Sequence, residues 1–531
     1  MKKLPIGIQN IEKILANGEY VYVDKTGFAY QLIDEGIPHY FLSRPRRFGK
    51  SLFVNTLEHI FRGRKELFKE CQIYRSDYDW QEYPVLHFDF SSIENRDPIE
   101  FKNSLKRKLQ SIGESLGIPV EVPTLQEGLS FLVVALSQQS RVVVLVDEYD
   151  KPIINNLDNL EVAKQNRDLM RDFFGTLKSL DQYLKFTFFT GVSKFSQVSL
   201  FSGLNNLTDI TMNPKYAALM GYTEGEVKRD FKEHIQDVAK KRTKEEAAIL
   251  NEIRKWYNGY RFTAEKASVY NPYSTLRFLS EHKPQGYWYS TGTPSFLIDQ
   301  VKNHPQSVVV LKGLKVSKAM LSDISKLDRI DLAALMFQTG YLTIKDYEEK
   351  QNAYFLDFPN KEVHDAFLDS LLQEFAEVNP FQVSDRGDEV KKYLERFDLP
   401  SFFSVMNAHF AKISYHLFSN AKEGFYQAVF FTFLEKSGIT TTTEIATNIG
   451  RIDLACETHK AICIFELKLD QNADIALTQA ETKKYQERFS VSKKPILVIG
   501  VNFSSEFRNI SDWKGMVFSP KGELIQEFHS S

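Results

Sequence analysis

Short apolar runs separated by amphipathic stretches characterise the N-terminal part of the chain. Residues 142–146 are consecutive aliphatic residues, the pattern of a parallel strand that is buried on both faces. Similar apolar runs lie at 39–42, 84–90 and 184–190, with helical patterns between them. This alternation predicts an α/β domain built on a parallel sheet.

The C-terminal part of the chain shows a different order of elements. Residues 421–438 predict a helix, and 440–447 predict a threonine-rich strand. Two apolar strands then meet at a turn around 457–460. A second helix is expected at 473–489 and a buried strand at 494–503. The order helix, three strands, helix, strand predicts a second α/β domain.

The predicted hairpin determines which residues of its two strands face each other. A turn centred on 457–460 places Asp453 opposite Glu466, and Lys468 projects from the same face as Glu466 because strand side chains alternate. Carboxylates about 5 Å apart repel each other by roughly 3 kcal/mol at an effective dielectric of about 20. The hairpin therefore needs a cation between these acids or a proton on one of them.

Two acids beside a lysine suit a hard divalent cation, and magnesium fits this set best. In this interpretation Asp453 and Glu466 hold the metal ion, while Lys468 orients or deprotonates a water molecule. The alternative is a solvated ladder of ion pairs, because isolated acid and lysine motifs recur by chance. The same turn places Cys456 opposite Cys463 on the reverse face, where core packing explains both.

A basic turn follows the first apolar strand and leads into G-K-S at the start of a helix. This context is typical of phosphate-binding loops, in which backbone amides and a helix N-terminus surround the phosphates. Lys50 would reach the terminal phosphates, and Ser51 would coordinate magnesium. Arg44 occupies the position of the first P-loop glycine, so the loop entrance needs a different backbone conformation. A basic turn without a ligand is the alternative.

Acidic residues at the end of the 142–146 strand support a nucleotide site. Asp147 would hold the magnesium ion and Glu148 would polarise the attacking water, because parallel sheets bind ligands at the carboxyl ends of their strands. Ser193 or Lys194 could sense the γ-phosphate. Without a nucleotide, an acidic loop would explain Asp147 and Glu148, and a surface turn would explain Ser193 and Lys194. The predicted nucleotide-binding residues are Arg46, Arg47, Phe48, Gly49, Lys50, Ser51 and Lys194.

The C-terminal arrangement resembles the core of the PD-(D/E)xK nucleases. The residues that match the family's motifs are Asp453 on the second strand, Glu466 and Lys468 in E-x-K, Glu423 on the first helix, and Gln479, Lys483 and Tyr485 in Q-x-x-x-K-x-Y. Ile452 stands where the family name has proline, a departure that many members share. The resemblance implies a metal-dependent nuclease in which these acids, Lys468 and Gln479 form the catalytic site.

Phrases along nearly the whole chain resemble prokaryotic AAA-ATPase-like proteins that carry a C-terminal PD-(D/E)xK nuclease domain. They are YVYVDKTGFAYQLI (20–33), FLSRPRRFGKSL (41–52), VDEYDKP (146–152), TGVSKFSQVSLFSGLNNLTDI (190–210) and WYNGYRF (256–262). Arg44 in place of glycine is usual in that family. The resemblance implies ATP as cofactor and DNA as the nuclease substrate, with RNA not excluded, and it implies no settled biological role.

Length and composition indicate several domains. The 531 residues exceed one core and suggest an AAA-ATPase-like P-loop domain at 1–212, a mainly helical domain at 213–385 and a nuclease-like domain at 386–531. No apolar run reaches the roughly 18–20 residues that span a bilayer, and the start has no signal peptide, so we expect a cytoplasmic protein without a membrane partner. Three cysteines exclude a disulfide framework.

Charge and aromatic content add smaller constraints. A formal net charge of −2 argues against a DNA-coating protein but not against a nuclease.

The aromatic phrases WYNGYRF (256–262) and YNPYS (270–274) fit either a lid over the nucleotide or core packing, and core packing is the commoner role of aromatic residues. The polar stretch 384–389 predicts a linker. The oligomeric state stays open.

Three functions are compatible with these observations. An ATP-controlled DNA nuclease, in which nucleotide binding or hydrolysis gates the metal site, accounts for both residue sets. The first alternative is an ATP-dependent switch whose nuclease-like domain binds nucleic acid or a protein partner without cleavage. The second is an interaction protein whose P-loop is only structural, which Arg44 suggests.

Overall fold

The computed structural model describes residues 1–194, 201, 206–289, 311–322, 331–418, 421–447, 450–489 and 492–530. Much of the phrase at 190–210 therefore lies outside the described residues. The chain forms two compact units, each built from two chain segments. The first comprises Met1–Gly292 and Lys315–Val363, and the second comprises Thr293–Leu314 and His364–Ser531. Within the described residues, no helix has the length and apolar character needed to cross a membrane.

The first unit combines a parallel sheet with a mainly helical region. Its helices are α1 (Ile11–Leu15), α2 (Thr26–Asp34), α3 (Lys50–Phe61), α4 (Pro98–Ser115), α5 (Leu125–Ser137), α6 (Lys151–Ile154), α7 (Leu160–Gly175), α8 (Glu224–Asp230), α9 (Lys232–Lys241), α10 (Glu246–Tyr257), α11 (Pro272–Glu281), α12 (Lys318–Ser322), α13 (Leu332–Thr339) and α14 (Lys361–Ser370), whose later residues belong to the second unit. Its strands are β1 (His39–Ser43), β2 (Val85–Asp89), β3 (Val142–Asp147), β4 (Leu184–Gly191), β5 (Thr208–Asp209), β6 (Leu314–Ser317), β7 (Thr343–Glu348) and β8 (Ala353–Asp357).

The described strands of the first sheet are parallel and follow the order β2-β3-β4-β1-β5. Strand β3 is buried along its whole length, as its aliphatic run predicts. Helices alternate with these strands, so the predicted α/β fold is confirmed. The P-loop turn follows β1, and Asp147 ends β3, so both stand at the carboxyl edge of the sheet.

The region after β5 is mainly helical, as predicted, but it also contains a small sheet that the sequence did not predict. Strands β6, β8 and β7 form this sheet, and β7 and β8 are antiparallel. The aromatic phrases lie largely in the core: Tyr257, Tyr260, Phe262 and Tyr270 are buried, whereas Tyr273 is half-buried. Burial of these rings supports the core-packing interpretation.

The second unit is a mixed sheet with helices. Its helices are α15 (Pro380–Ser384), α16 (Gly387–Arg396), α17 (Leu399–Phe410), α18 (Glu423–Lys436) and α19 (Ala473–Thr482), and its strands are β9 (Thr441–Ala446), β10 (Arg451–Glu457), β11 (Ile462–Leu469), β12 (Ile496–Ser504), β13 (Asn509–Phe518) and β14 (Leu524–His529). The order among the described strands is β14-β13-β12-β11-β10-β9. Strands β11 and β12 are parallel, and the other neighbours are antiparallel.

The predicted order helix, three strands, helix, strand is confirmed in α18, β9 to β11, α19 and β12. The hairpin turn and its register are also confirmed, because Cys456 pairs with Cys463 and Leu454 with Phe465. Two details differ from the prediction. The second helix ends at Thr482 and is followed by a 3₁₀ turn at Tyr485–Phe489, and strands β13 and β14 were not predicted. Within the predicted linker 384–389, Ser384 ends α15 and Gly387 begins α16, so only residues 385 and 386 lie between the two helices.

Candidate functional site

A cavity of about 520 Å³ opens at the N-terminus of α3 in the first unit. Its wall includes the basic turn and the start of α3 at 46–53, the N-terminal segment at 21–23, and the helical region at 219–222. Pro272 and Tyr273, at the start of α11, close another side. A cavity of this volume lies within the range that proteins use for small ligands.

The turn before α3 contains two residues with left-handed backbone conformation. Gly49 precedes α3 with φ of 92°, a left-handed conformation that favours glycine, and Arg47 is also left-handed with φ of 66°. The Lys50 ammonium donates hydrogen bonds to the carbonyl oxygens of Arg44 (3.1 Å) and Pro45 (3.0 Å). Burial lowers the pKa of Lys50, against the attraction of nearby acids. The lysine thus lies folded against its own loop.

The predicted acidic partners lie beside this loop. Burial raises the pKa of Asp147, whereas a hydrogen bond with Ser51 and the charge of Lys50 act to lower it. Glu148 lines the cavity with φ of 50° and forms an ion pair with Lys151 at 3.0 Å. The structure therefore brings Lys50, Ser51, Asp147 and Glu148 together at one place.

Two other predicted nucleotide residues have different surroundings. Lys194 does not line the cavity: its ammonium pairs with Asp209 at 2.5 Å, and its backbone amide donates to Gln338. The ring of Phe48 is buried edge-on against Tyr260, with 4.8 Å between ring centroids. The Phe48 side chain thus anchors the loop in the core, and its backbone is the part that remains for a ligand.

Three residues in and around the loop, Arg44, Trp288 and Asp150, make contacts that were not foreseen. The buried Arg44 guanidinium donates to the carbonyl of Thr211 at 2.8 Å and lies over the Phe262 ring at 4.2 Å. The Trp288 indole donates to the carbonyl of Arg46 at 3.0 Å. Asp150 accepts hydrogen bonds from the backbone amides of Val192 and Ser193 and from the Ser193 hydroxyl. Of these residues, only Arg44 was noticeable in the sequence, because it is a charged residue at the position where P-loops have their first glycine.

The second site lies where β10 and β11 diverge. Their backbone pairing ends at Leu454 and Phe465, and beyond it the Asp453 carboxylate accepts a hydrogen bond from the Leu467 amide at 2.8 Å. When this register is continued by one residue, Asp453 lies opposite Glu466. Burial raises the pKa of Asp453, against this hydrogen bond and nearby cations.

Glu466 is the most enclosed group of this site. Its side chain is 0% exposed, and Oε1 accepts hydrogen bonds from the Lys468 ammonium at 3.0 Å and from the Gln479 amide. Oε2 is buried without a hydrogen-bond partner in the described part of the chain. Burial, reinforced by the Asp453 carboxylate, raises the pKa of Glu466 to about 7. A buried carboxylate with one unused oxygen needs a cation or a proton.

Lys468 and Glu423 complete the predicted set. Burial acts to lower the pKa of Lys468, but the attraction of Glu466, Asp453 and Glu423 outweighs it, so the pKa is raised and the amine is charged. Glu423 begins α18, and burial raises its pKa while the Lys468 charge opposes the rise. The first-helix acid thus lies within electrostatic reach of Lys468 and Asp453.

The helix α19 and the turn after it support the same site. Besides the contact of Gln479 with Glu466, the Tyr485 hydroxyl donates to the Arg451 carbonyl at 2.6 Å and so ties this segment to the first residue of β10. The Lys483 charge acts to lower the pKa of Asp453 and Glu466. All residues that matched the nuclease motifs therefore converge on the diverging ends of β10 and β11.

The donor set of this site fits magnesium. Among the described residues, no group of three histidine, cysteine or acidic side chains is placed to hold a metal ion. The carboxylates that interact most closely at this site are those of Asp453 and Glu466. Magnesium keeps several of its waters and is ordinarily bound through one or two carboxylates. The unused Oε2 of Glu466 is the oxygen that such an ion would engage.

Comparison with known proteins finds family matches at both ends of the chain. The family described as "Predicted AAA-ATPase" matches residues 5–201, and the PD-(D/E)XK nuclease superfamily matches residues 421–513. A protein of Azotobacter chroococcum mcd 1, described as "Uncharacterized protein in vnfD 5'region", is 38% identical over 523 residues, which is 96% of this chain and 98% of that protein. The chain belongs to this family, which joins an AAA-ATPase-like domain to a PD-(D/E)XK nuclease domain.

Proposed function

We propose that this protein binds and hydrolyses ATP with magnesium in its first unit, and that its nucleotide state controls a magnesium-dependent nuclease that cuts DNA in its second unit. The observation that carries the nuclease part is Glu466: a fully buried carboxylate with one unused oxygen, facing Asp453 and bonded to Lys468. An apolar sheet retains such a costly group when it has a function.

In the nuclease site, Asp453 and Glu466 would hold the magnesium ion. When bound, the ion would lower the pKa of a water molecule and stabilise negative charge on a phosphodiester. Lys468 has a raised pKa, which favours orienting water and neutralising phosphate over deprotonating water. Gln479 restrains the Glu466 carboxylate through its hydrogen bond, and Glu423 adds negative charge beside Lys468.

In the nucleotide site, the backbone of 46–49 would surround the phosphates of ATP. Lys50 would exchange its hydrogen bonds to loop carbonyls for the terminal phosphates, since a charged phosphate is a stronger acceptor than a carbonyl. Ser51 and Asp147 would hold magnesium, and Glu148 would leave Lys151 to polarise water. We retain Lys194 as a candidate sensor that would first have to leave Asp209.

The composition of the cavity wall supports a nucleotide-dependent movement within the first unit, which is the first step of the proposed control. The loop and the helical region both contribute to the wall, the latter through Tyr222, Pro272 and Tyr273. The Arg47 guanidinium lies over the Tyr273 ring at 4.9 Å. A nucleotide in this cavity would therefore contact both parts, and its hydrolysis would change the position that each prefers.

The test is a cleavage assay with the full chain on plasmid, linear and single-stranded DNA, with magnesium and with or without ATP. We expect Lys468→Ala to reduce cleavage at least about 100-fold, because the charge next to the phosphate is lost. Lys50→Ala should change the effect of ATP on cleavage. Lys460→Ala, at the exposed turn of the same hairpin, is the matched control and should cut normally.

The outcomes separate the three functions. Cleavage by Lys468→Ala at the wild-type rate would show that this site is not the nuclease centre. DNA binding without cleavage in both magnesium and manganese would favour the non-cleaving switch. Failure to bind ATP in calorimetry would leave the P-loop with a structural role only.

A further inference from the structure

The hairpin between β12 and β13 carries an exposed aromatic ring at its tip. Residues 505–508 form the tip, and Phe507 is 69% exposed. Single exposed rings are common on protein surfaces, so exposure alone does not mark a contact; the position of this ring on a loop beside the acidic site makes it a candidate contact for a partner. Neither the nucleotide cavity nor the acidic site uses this residue.

The tip is held rigidly by its own hydrogen bonds. Ser504 accepts the Phe507 amide on its hydroxyl (3.1 Å) and the Arg508 amide on its carbonyl (2.7 Å). Asp470 accepts the Ser505 amide at 2.8 Å and donates its own amide to Phe503 at 2.8 Å. These bonds connect both sides of the tip to the sheet. Phe507 is therefore presented to solvent in advance of binding, which lowers the entropic cost of a contact.

The tip lies next to the acidic site. Asp470, which bonds to it, is two residues beyond Lys468, or about 7 Å along an extended chain. The Tyr426 hydroxyl donates to the Ser504 carbonyl at 3.4 Å, and Tyr426 lies one turn after Glu423 on α18. The tip is thus bonded to the segment that follows β11, the strand of Glu466 and Lys468, and to α18, the helix of Glu423.

Two cations with no ion-pair partner flank this place. Arg508 belongs to the tip, and Lys422 immediately precedes Glu423; both are exposed, and neither side chain joins an ion pair with any described residue. The cations Arg451, Lys468 and Lys514 on the strands of this sheet are already paired, for example Lys514 with Asp474. Free cations next to an acidic metal site are suited to phosphates on either side of the bond to be cut.

We propose that Phe507 stacks on an unpaired base of the nucleic acid whose backbone crosses the Asp453 and Glu466 site, while Arg508 and Lys422 contact flanking phosphates. This inference rests on the proposed nuclease function and narrows its substrate to single-stranded or locally unpaired nucleic acid. Stacking on an aromatic ring tolerates any base but requires that the base has left its own stack. Flaps, gaps and single strands meet that requirement, whereas the paired bases of a duplex do not.

The test measures binding of fluorescent oligonucleotides to the full chain in EDTA, where no cleavage occurs. The ligands are single-stranded DNA, single-stranded RNA and a blunt DNA duplex of equal length. Phe507→Ala should weaken binding to single strands about tenfold and leave duplex binding almost unchanged, because one base–ring stack is lost. Phe507→Trp should retain the affinity and show quenching of its new indole by single strands.

The control is Phe381→Ala, which removes an equally exposed ring (76%) from α15 of the same unit and should bind like wild type. The DNA and RNA arms decide which unpaired strand is preferred. Equal single-strand affinity of wild type and Phe507→Ala would overturn the inference, as would a loss that is the same for duplex. The inference would also be overturned if wild type, but not Phe507→Ala, bound a protein partner more tightly than any of the oligonucleotides.

Cleavage assays distinguish this inference from the proposed nuclease function. If wild type cuts DNA and Phe507→Ala cuts single strands equally well, the nuclease stands and the stacking role is wrong. If wild type binds single strands through Phe507 but cuts nothing, the stacking role stands and cleavage is wrong. A thermal melt of each variant checks folding, and little change is expected because Phe507 is exposed.

Discussion

At the scale of single residues, two buried glutamates illustrate how surroundings decide chemistry. Glu466 faces Asp453 and Lys468, and so belongs to a charged site. Glu362, in the first unit, is 1% exposed and accepts hydrogen bonds from the Ser274 hydroxyl (2.9 Å) and the Trp288 amide (2.7 Å). Burial raises the pKa of Glu362 to about 8, so near neutral pH a proton neutralises it.

Glu362→Gln should make stability less dependent on pH. The pKa of Glu362 is raised in the folded chain, so between about pH 4.5 and 8 the unfolded chain holds fewer protons there, and folding loses stability as pH rises. Glutamine removes this loss. The variant's stability relative to wild type should therefore increase by up to about 1.4 kcal/mol per pH unit across this window and level off above it.

Denaturant unfolding followed by tryptophan fluorescence at several pH values measures this difference. The matched control is Glu265→Gln, an exposed glutamate of the same unit. A constant difference between Glu362→Gln and wild type from pH 5 to 8 would contradict the assignment of a protonated Glu362.

At the scale of elements, the nuclease-like site depends on how closely α19 packs on the sheet. Gly500 on β12 lies under this helix, and a Cβ atom built there would be 2.5 Å from the carbonyl oxygen of Ala473 and 2.7 Å from the amide of Leu477. The absence of a side chain at Gly500 allows the close approach. That approach in turn brings Gln479 to Glu466.

Gly500→Ala should therefore perturb the nuclease-like site, although residue 500 is not one of the residues of that site. The added methyl meets backbone atoms, which cannot rotate away, so α19 must shift and the hydrogen bond from Gln479 to Glu466 should weaken. We expect a loss of about 1–3 kcal/mol in stability, the usual cost of overpacking, and weaker magnesium binding. Thermal melting and magnesium titration of the cleavage rate measure both effects.

Gly175→Ala is the control for this substitution, because a Cβ atom there has no neighbour within 4 Å and the backbone is right-handed. Its stability should change by less than about 0.5 kcal/mol. Magnesium dependence in Gly500→Ala equal to that of wild type would contradict the proposed role of helix packing.

At the scale of the whole molecule, the second unit is assembled from two separate chain segments. The earlier segment supplies Lys312, whose ammonium lies 3.1 Å from the buried carboxylate of Glu435 on α18. His364 and Thr441 donate to the same carboxylate. Burial acts to raise the pKa of Glu435, but these partners outweigh it and lower the pKa to about 2. The nuclease-like unit therefore depends on a distant part of the chain.

Lys312→Met should destabilise the second unit by about 1–3 kcal/mol, because a buried carboxylate loses a charged hydrogen-bond donor while methionine keeps similar bulk. Lys315→Met is the control, since Lys315 pairs with Glu348 at an exposed position and such pairs contribute little. Chemical unfolding of the full chain measures both variants. Equal stability of the two would argue that the earlier segment does not support this unit.

Much of the fold can be predicted from local sequence patterns, whereas particular strands and contacts cannot. The aliphatic run ending at Asp147 and the hairpin register at Asp453 and Glu466 were predictable, because strand periodicity and turn length act over a few residues. The strands β13 and β14 were not predicted, since charged and polar residues interrupt their apolar pattern. The pairing of Lys194 with Asp209 was not predictable either, because it depends on how β5 joins the sheet.

The sequence by itself determined which face of the hairpin carries the acids and the lysine, and it predicted phosphate-binding chemistry for the loop after β1. Side-chain direction in a strand and backbone freedom at a glycine are local properties, so they can be deduced without the rest of the chain. The local pattern does not bring Gln479 and Glu423 to this hairpin: the family resemblance implied it, and the tertiary structure shows it. Only the tertiary structure decided that Trp288 supports Arg46. Those contacts depend on helices packing over long sequence separations, where the shape of the whole core decides which groups meet.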